Sequence, residues 1–508
     1  MSQIRRQSII STLFVYAGFL VGFINTYLFT RQGSPFDPAE YGLTNIFIAV
    51  GNLMFAFANM GMISVIYKFY PYYNDNLPKK KNDLITWSLL TSLVGFCFVV
   101  LGGIIFKGLV VRKFGANSPL FIQYYFWVFP FGFSLLLFNL FEIYAWNIRK
   151  SVLTTFLREL LFRLFTTTLI FLLSFHLIQN FDSFIKLYSF GYGLVALVLL
   201  AYLIKEKEFY ITFRVSRVTQ KFRKKILSLA GLVYVGSVVL MIAQFIDTIV
   251  IMSLRGAAEV GIFTLGSVVA GLVQAPQRGA IAASIPPLSK AWKDKDYQKI
   301  SLIYQRSGIN LLIASMGIFL IVWLNYTDAV HTFGLKPAYL QSLWIFFFLG
   351  LARIVDLGTG VNAQIIGTSV YWRFELLSGI ILFVLITPLS YLLVKHFGIV
   401  GAGYSNLISF SVYNLIRIIF LQRKFGMHPF SMKTLYSTMA AGASFLVVYY
   451  PFHNLHGLFT MIIRSLLFVV LYGGSVIFWN LSPDVKPVLE SVRNRFLRKD
   501  NRNTSPRN

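Results

Sequence analysis

Eleven charged side chains interrupt stretches otherwise apolar enough to lie in a bilayer: Glu142, Arg158, Glu159, Arg163, Asp247, Arg278, Arg306, Arg353, Asp356, Arg417 and Arg464. A charge at membrane depth costs at least about 2.5–3.5 kcal/mol on insertion scales, so each calls for a physical reason. Arginine stays protonated and presents a planar fork of N–H donors, which suits bidentate capture of phosphate oxygens. Arg158, Arg163, Arg278 and Arg306 fall about one to three turns inside the expected cytoplasmic ends of their helices. With Arg353 as a fifth member, they read as a cationic cavity that takes a diphosphate headgroup from the cytoplasm. A cleft between two halves of the chain is the place expected to gather them. An intramembrane carboxylate can carry a proton or bind a cation. Asp247, with Gln244 one turn away, therefore reads as a coupling site for H+ or Na+, with Glu142 and Asp356 as further candidates.

Each of these readings has a structural alternative. Glu159 and Arg163 are spaced i,i+4, and Arg353 and Asp356 i,i+3, so each pair could neutralise itself along one helix. Glu142 and Glu159 could equally serve as ion-pair partners for the arginines, and Asp247 as a hydrogen-bonded structural acid. Arg417 lies near a cytoplasmic helix end and reads as a snorkelling side chain. Arg464 has no role legible in the sequence.

The elements that carry these charges are set by composition. The chain has 508 residues, 56% hydrophobic and only 13% charged, which argues against a soluble enzyme, and its 51 Phe and 27 Tyr argue against disorder. A helix needs about 20 mostly apolar residues to cross the hydrocarbon. Fourteen such spans are expected: 8–30, 43–70, 84–108, 119–147, 152–178, 183–205, 226–253, 259–288, 299–325, 338–366, 370–396, 399–422, 433–451 and 458–481. Ten-residue alternating segments, the mark of a membrane β-barrel, are absent. The fold class is all-α integral membrane.

Net charge is +27, from 46 Lys+Arg against 19 Asp+Glu. Such an excess fits either nucleic-acid binding or the cytoplasmic loops of a membrane protein. With the N-terminus inside, 31 of the 46 cations fall in inner loops and tails, 8 in outer loops and 7 inside spans. The inner set runs from Arg5 and Arg6 through Lys79-Lys80-Lys81 and the cluster from Lys205 to Lys225 to the basic tail. The asymmetry follows the positive-inside rule and places both termini in the cytoplasm. It also excludes nucleic acid as the partner. The first apolar stretch lacks a small-x-small cleavage signal and reads as a retained span.

A shift of 219 residues lays Ala39-Glu40-Tyr41-Gly42-Leu43 on Ala258-Glu259-Val260-Gly261-Ile262, and Asn25 on Gln244. The same shift maps spans 1–6 onto spans 7–12 in the same orientation, a parallel repeat about an axis along the membrane normal. The expected organisation is a six-helix bundle at 1–205, a basic cytoplasmic linker at 206–225 and a second bundle at 226–425. Two further helices at 426–482 and a basic tail at 483–508 complete it. Two such bundles around a central cleft form a transporter's architecture, able to rock around a midplane site.

Particular segments carry a family resemblance. Ile246-Asp247-Thr248-Ile249-Val250-Ile251, followed by Ala258-Glu259-Val260-Gly261-Ile262-Phe263, resembles an element of Wzx-like polysaccharide-export flippases. These belong to the multidrug/oligosaccharidyl-lipid/polysaccharide exporter superfamily. Asp37-Pro38-Ala39-Glu40-Tyr41-Gly42 resembles the equivalent first-half turn, and Ile285-Pro286-Pro287-Leu288-Ser289-Lys290 is similar to the end of span 8. The resemblance implies a flippase, in the bacterial inner membrane, for a polyprenyl-diphosphate-linked oligosaccharide. Implied partners are that lipid-linked substrate, membrane lipids and polysaccharide polymerase machinery. Two spans beyond twelve favour the lipid-substrate branches over drug/cation antiporters, and another amphiphile, such as a peptidoglycan lipid precursor, remains an alternative cargo.

Other chemistry finds little support. The chain has no G-x-x-x-x-G-K-[ST] and no G-x-S-x-G. His453 and His456 alone fall short of a metal-ligand set, and no cofactor is expected. A membrane glycosyltransferase or polymerase would want a large outer loop bearing carboxylates, whereas the longest outer loops run about a dozen residues and hold only Asp37 and Glu40 as a close acid pair. Lone Cys97 reads as a small buried hydrophobe. Tyr124, Tyr125 and Trp127 read as an interfacial belt. Pro130, Pro276 and Pro388 are expected to kink their spans, and Gly18-x-x-x-Gly22 to allow a close helix contact.

Overall fold

The computed structural model describes residues 3–485, so the basic tail from residue 486 on lies outside the described residues. Two compact units divide the chain, Met1–Thr264 and Leu265–Asn508. The first contains α1 (Gln3–Thr30), α2 (Pro38–Ala58), α3 (Met62–Asn76), α4 (Leu84–Ile105), α5 (Lys107–Phe114), α6 (Pro119–Gln123) and α7 (Val128–Asn147). It continues with α8 (Ser151–Phe156), α9 (Phe162–Ser174), α10 (Phe181–Tyr188), α11 (Gly191–Lys205) and α12 (Arg217–Leu254). The chain passes into the second unit along α13 (Ala257–Val273). There follow α14 (Ala275–Lys293), α15 (Tyr297–Thr332), α16 (Ser342–Gly358), α17 (Asn362–Gly367) and α18 (Trp372–Phe397). The last helices are α19 (Val400–Phe425), α20 (Met432–Phe452) and α21 (Leu458–Phe478).

Every one of the fourteen expected spans has a helical counterpart. Among the described residues, eleven helices are long and apolar enough to cross a membrane, and the pair α13–α14, bent by 44°, makes a twelfth if it is one broken span. The bend falls where Pro276 opens α14, since a proline is tolerated in a first turn but ends the helix before it. Pro388, by contrast, lies within a continuous α18. The remaining two are α20 and the stretch from α8 to α9, where Leu157–Leu161 form a π turn. Large apolar side chains such as Phe98, Leu101, Leu232, Val235, Leu377 and Val384 are exposed, which only a hydrocarbon surrounding makes stable. Cys97, expected to be buried, is exposed on α4 among them. Its neighbours on that face are the apolar residues that would meet lipid tails.

The span expected at 43–70 is broken in two. Gly61, at φ +77, turns the chain between α2 and α3, and its Cα lies so close to α12 that a Cβ would stand 2.4 Å from the Ala230 carbonyl oxygen. Residues 206–216 connect α11 to α12 as an irregular strap. Hydrogen bonds from Ser216 N–H to Asp83 (2.8 Å) and from Thr212 N–H to Thr86 (3.1 Å), with the Lys79–Glu208 ion pair, hold it down. Residues 217–225 are the first turns of α12, capped by Ser216.

The two turns aligned in the sequence meet each other within the first unit. A Cβ on Gly42 would stand 1.8 Å from the Ala257 carbonyl oxygen, and one on Gly261 would stand 2.2 Å from that of Pro38. Gly42 maps onto Gly261, and Pro38 onto Ala257, under the same 219-residue shift. The contact is reciprocal, each glycine lying against the backbone of the other turn. Gly42→Ala and Gly261→Ala are each expected to destabilise the protein by about 1–3 kcal/mol, and by similar amounts. Thermal unfolding in detergent reads this; an unaltered melting temperature in either variant would contradict the close approach.

Candidate functional site

In the first unit the charged side chains converge on the π turn between α8 and α9. Such turns occur in α-helices frequently at functional sites. Arg158 sits in it and reaches across to α7. Its Nε donates to Glu142 Oε1 (2.9 Å), its Nη2 meets the other Glu142 oxygen, and Nη2 also donates to Asn139 Oδ1 (2.7 Å). Glu142 is buried on α7, where a carboxylate without a cationic partner would be costly, and this guanidinium is its partner. The Phe138 ring lies 5.1 Å from the Arg158 guanidinium carbon. Behind the site Phe162 and Tyr192 stack with centroids 4.1 Å apart, locking α9 to α11.

Arg163 faces α1. Its Nη2 pairs with Glu159 Oε2 at 3.1 Å, the i,i+4 partner, and its guanidinium lies 5.6 Å from the Phe19 ring. Its Nη1 is buried with no hydrogen-bond partner among the described residues. The two glycines of the Gly18-x-x-x-Gly22 stripe make room for this arrangement. A Cβ at Gly18 would strike the Glu159 carbonyl oxygen at 2.5 Å, and one at Gly22 would press on Arg163 Nη1 at 3.2 Å. The Asn25 amide donates to the Arg163 carbonyl oxygen (2.9 Å), and the Thr167 hydroxyl donates to Asn25 Oδ1 (2.6 Å). Asn25, Asn139 and Thr167 hold the arginines in place; of these only Asn25, aligned with Gln244, stands out in the sequence.

The second unit contains a longer polar chain. Asp356 on α16 accepts from the amides of Asn414 (3.0 Å) and Gln277 (3.2 Å). Asn414 Oδ1 accepts in turn from Thr359 (2.9 Å) and Asn362 (2.8 Å), and Asn362 Oδ1 accepts from Arg417 Nη1 (3.3 Å). Arg417 also donates through Nε to Ser378 (3.1 Å), pairs with Glu375 at 2.5 Å and lies 3.9 Å from the Tyr413 ring. This side chain does not snorkel. It is 2% exposed, because its polar partners on α17 and α18 turn it inward rather than toward the helix end. Arg353 lies on α16 with its guanidinium 5.3 Å from the Phe410 ring.

The other expected site residues are spread more widely. Arg306 on α15 reaches Asp484 at 3.9 Å, beside Asn310, which donates to the same carboxylate at 2.5 Å. Arg278 is exposed on α14, and Asp247 is partly buried on α12. Arg158 and Arg163 belong to the first unit and Arg278, Arg306 and Arg353 to the second. Arg464 now has a role: it is buried on α21, pairs with Asp328 and donates to the carbonyl oxygens of Leu324 (2.8 Å) and Leu455 (2.8 Å). His456 adds a 2.7 Å contact to the same aspartate, so this cluster pins the last two helices to α15.

No protein-family model matches the chain, and no curated protein matches it. Solved structures do. Lipid II flippase MurJ, in an inward closed conformation, matches with a TM-score of 0.74 and 15% identity over 93% of this chain and 99% of that one. A multidrug resistance MATE family transporter of the MOP superfamily, inward-facing, matches with a TM-score of 0.63 and 15% identity over 80% of this chain and 94% of that one. The chain therefore has the fold shared by MurJ and the MATE transporters.

Proposed function

We propose that the protein is a flippase that carries a polyprenyl-diphosphate-linked oligosaccharide, a surface-polysaccharide repeat unit, from the cytoplasmic to the outer leaflet by alternating access. The site is the bacterial inner membrane, with both termini cytoplasmic, and the flipped unit passes to polymerase machinery outside. The observation that carries this reading is Arg163, a guanidinium within a helical span whose Nη1 is buried and has no hydrogen-bond partner among the described residues. Such a donor suits a diphosphate oxygen. Arg158, Arg278, Arg306 and Arg353 are the other members of the proposed cationic set.

The fold supports a lipid cargo over a drug. Residues 1–425 are about 84% of the 508, so a match over 93% must reach into the last two helices, whereas one over 80% need not. The MurJ likeness also favours a second reading, in which the cargo is the lipid II of that neighbour's name. Cells lacking the protein separate the two readings. Accumulation of polysaccharide-repeat lipids on the inner leaflet is the expected result; accumulation of lipid II instead would transfer the assignment to the second reading.

Asp247 is proposed as the carboxylate that couples transport to H+ or Na+, with Glu142 and Asp356 held as structural or auxiliary acids by the partners described above. Asp247→Asn is expected to remove the dependence of transport on pH or sodium while leaving protein levels normal. A wild-type dependence in that variant would remove Asp247 from the scheme.

A further inference from the structure

We propose that α3 and the start of α12 form a binding site for one anionic phospholipid at the cytoplasmic surface, independent of the transported cargo. A cavity of about 510 Å³ opens there, its polar wall made by Lys68, Lys224 and Lys225 and its apolar wall by Leu229 and Leu232. A second cavity of about 290 Å³ shares Lys68 and Leu229 and extends along Ile63 and Ile143. Lys224, Lys225, Ser228, Leu229 and Leu232 form one stripe of α12, basic at its start and apolar within two turns. From Lys225 to Leu232 the helix rises about 10 Å, the step from an interfacial headgroup to the upper acyl chain. A phosphodiester between the ammonium groups, with its chains along the leucines, satisfies both ends.

The charges are available to a ligand. Lys79 and Lys150, other cations of the first unit, are neutralised by Glu208 (2.5 Å) and Glu206 (3.3 Å). Lys68, Lys224 and Lys225 have no acidic side chain within 4.0 Å among the described residues. The walls are fixed in advance: the Tyr73 hydroxyl at the end of α3 hydrogen-bonds the Thr219 hydroxyl (2.7 Å), which donates to Asp83 (2.7 Å). Basic pockets between membrane helices at the cytoplasmic side are the places where anionic lipid headgroups bind.

Native mass spectrometry of the protein released from nanodiscs of equal phosphatidylcholine and phosphatidylglycerol tests the proposal. The wild type is expected to retain phosphatidylglycerol, and the triple variant K68Q/K224Q/K225Q to lose that preference about tenfold at an unchanged melting temperature. The control triple K80Q/K81Q/R423Q, which removes as many cations from elsewhere on the same surface, is expected to keep it. Leu232→Asn is expected to weaken retention, because the chain contact is lost. An equal loss in the control would overturn the site in favour of diffuse surface charge. Displacement of the lipid by millimolar inorganic phosphate would overturn the lipid in favour of a free anion, and an unaltered ratio in the triple variant would overturn both.

Discussion

Arg417→Leu is expected to destabilise the protein by about 3–5 kcal/mol, because it strands a charge partner and several polar groups at once. The guanidinium is 2% exposed and binds Glu375 at 2.5 Å, Ser378 at 3.1 Å and Asn362 at 3.3 Å. Through Asn362 and Asn414 it supports Asp356, so its removal loosens α16, α17 and α18 together. A leucine fills the volume but leaves the Glu375 carboxylate without its cation. The double variant Arg417→Met with Glu375→Gln removes both charges, and well-packed neutral replacements of buried ion pairs are often close to neutral. Most of the stability is therefore expected to return in the double variant. Thermal unfolding of the two variants in one detergent reads the difference, and a single variant as stable as the wild type would show that the pair carries no weight.

Arg163→Gln is expected to lower flipping at least about tenfold at normal protein level and with little change in melting temperature, the loss of one charge-assisted hydrogen bond of about 1.5–3 kcal/mol to the substrate. Arg163 differs from Arg417 in how its donors are used. It has one charged partner, Glu159, from its own helix turn, and an Nη1 left over. Glu159 is 20% exposed in its side chain and loses only an i,i+4 partner, a modest structural cost. Arg163→Lys keeps the charge but not the planar fork, so it is expected to retain part of the activity. A purely structural Arg163 would give the opposite pattern, with a lowered melting temperature and intact transport per folded molecule.

The fold was legible because the bilayer imposes its own length and polarity rules on sequence. Fourteen apolar runs identify the helices, and the glycines of the aligned segments Ala39–Leu43 and Ala258–Ile262 meet in the structure. Breaks were less legible: Gly61 turns the chain inside an apolar run, and only its approach to Ala230 explains why. For the sites, the identity of the charged residues was readable but their partners were not. The Glu159–Arg163 pair follows from helical spacing, whereas Arg158–Glu142 and Arg417–Glu375 cross between successive helices, where helical spacing says nothing. Arg417 is buried although it lies near a helix end, where position alone suggests snorkelling. The signal against snorkelling was local: Asn414 lies one turn before Arg417, and Glu375 and Ser378 share one face of α18, polar residues at helical spacing in apolar surroundings. Asn139 and Thr167 gave no such signal, since single amides and hydroxyls are common in membrane helices.

The most direct test reconstitutes the purified protein in vesicles containing a polyprenyl-diphosphate-linked oligosaccharide and follows its accessibility to a membrane-impermeant glycosidase. The wild type is expected to bring the protected inner pool to the outside, with the Arg163→Gln variant as the slow control. An inner pool that stays protected from the glycosidase while the same vesicles move lipid II or an organic cation would contradict the proposed cargo.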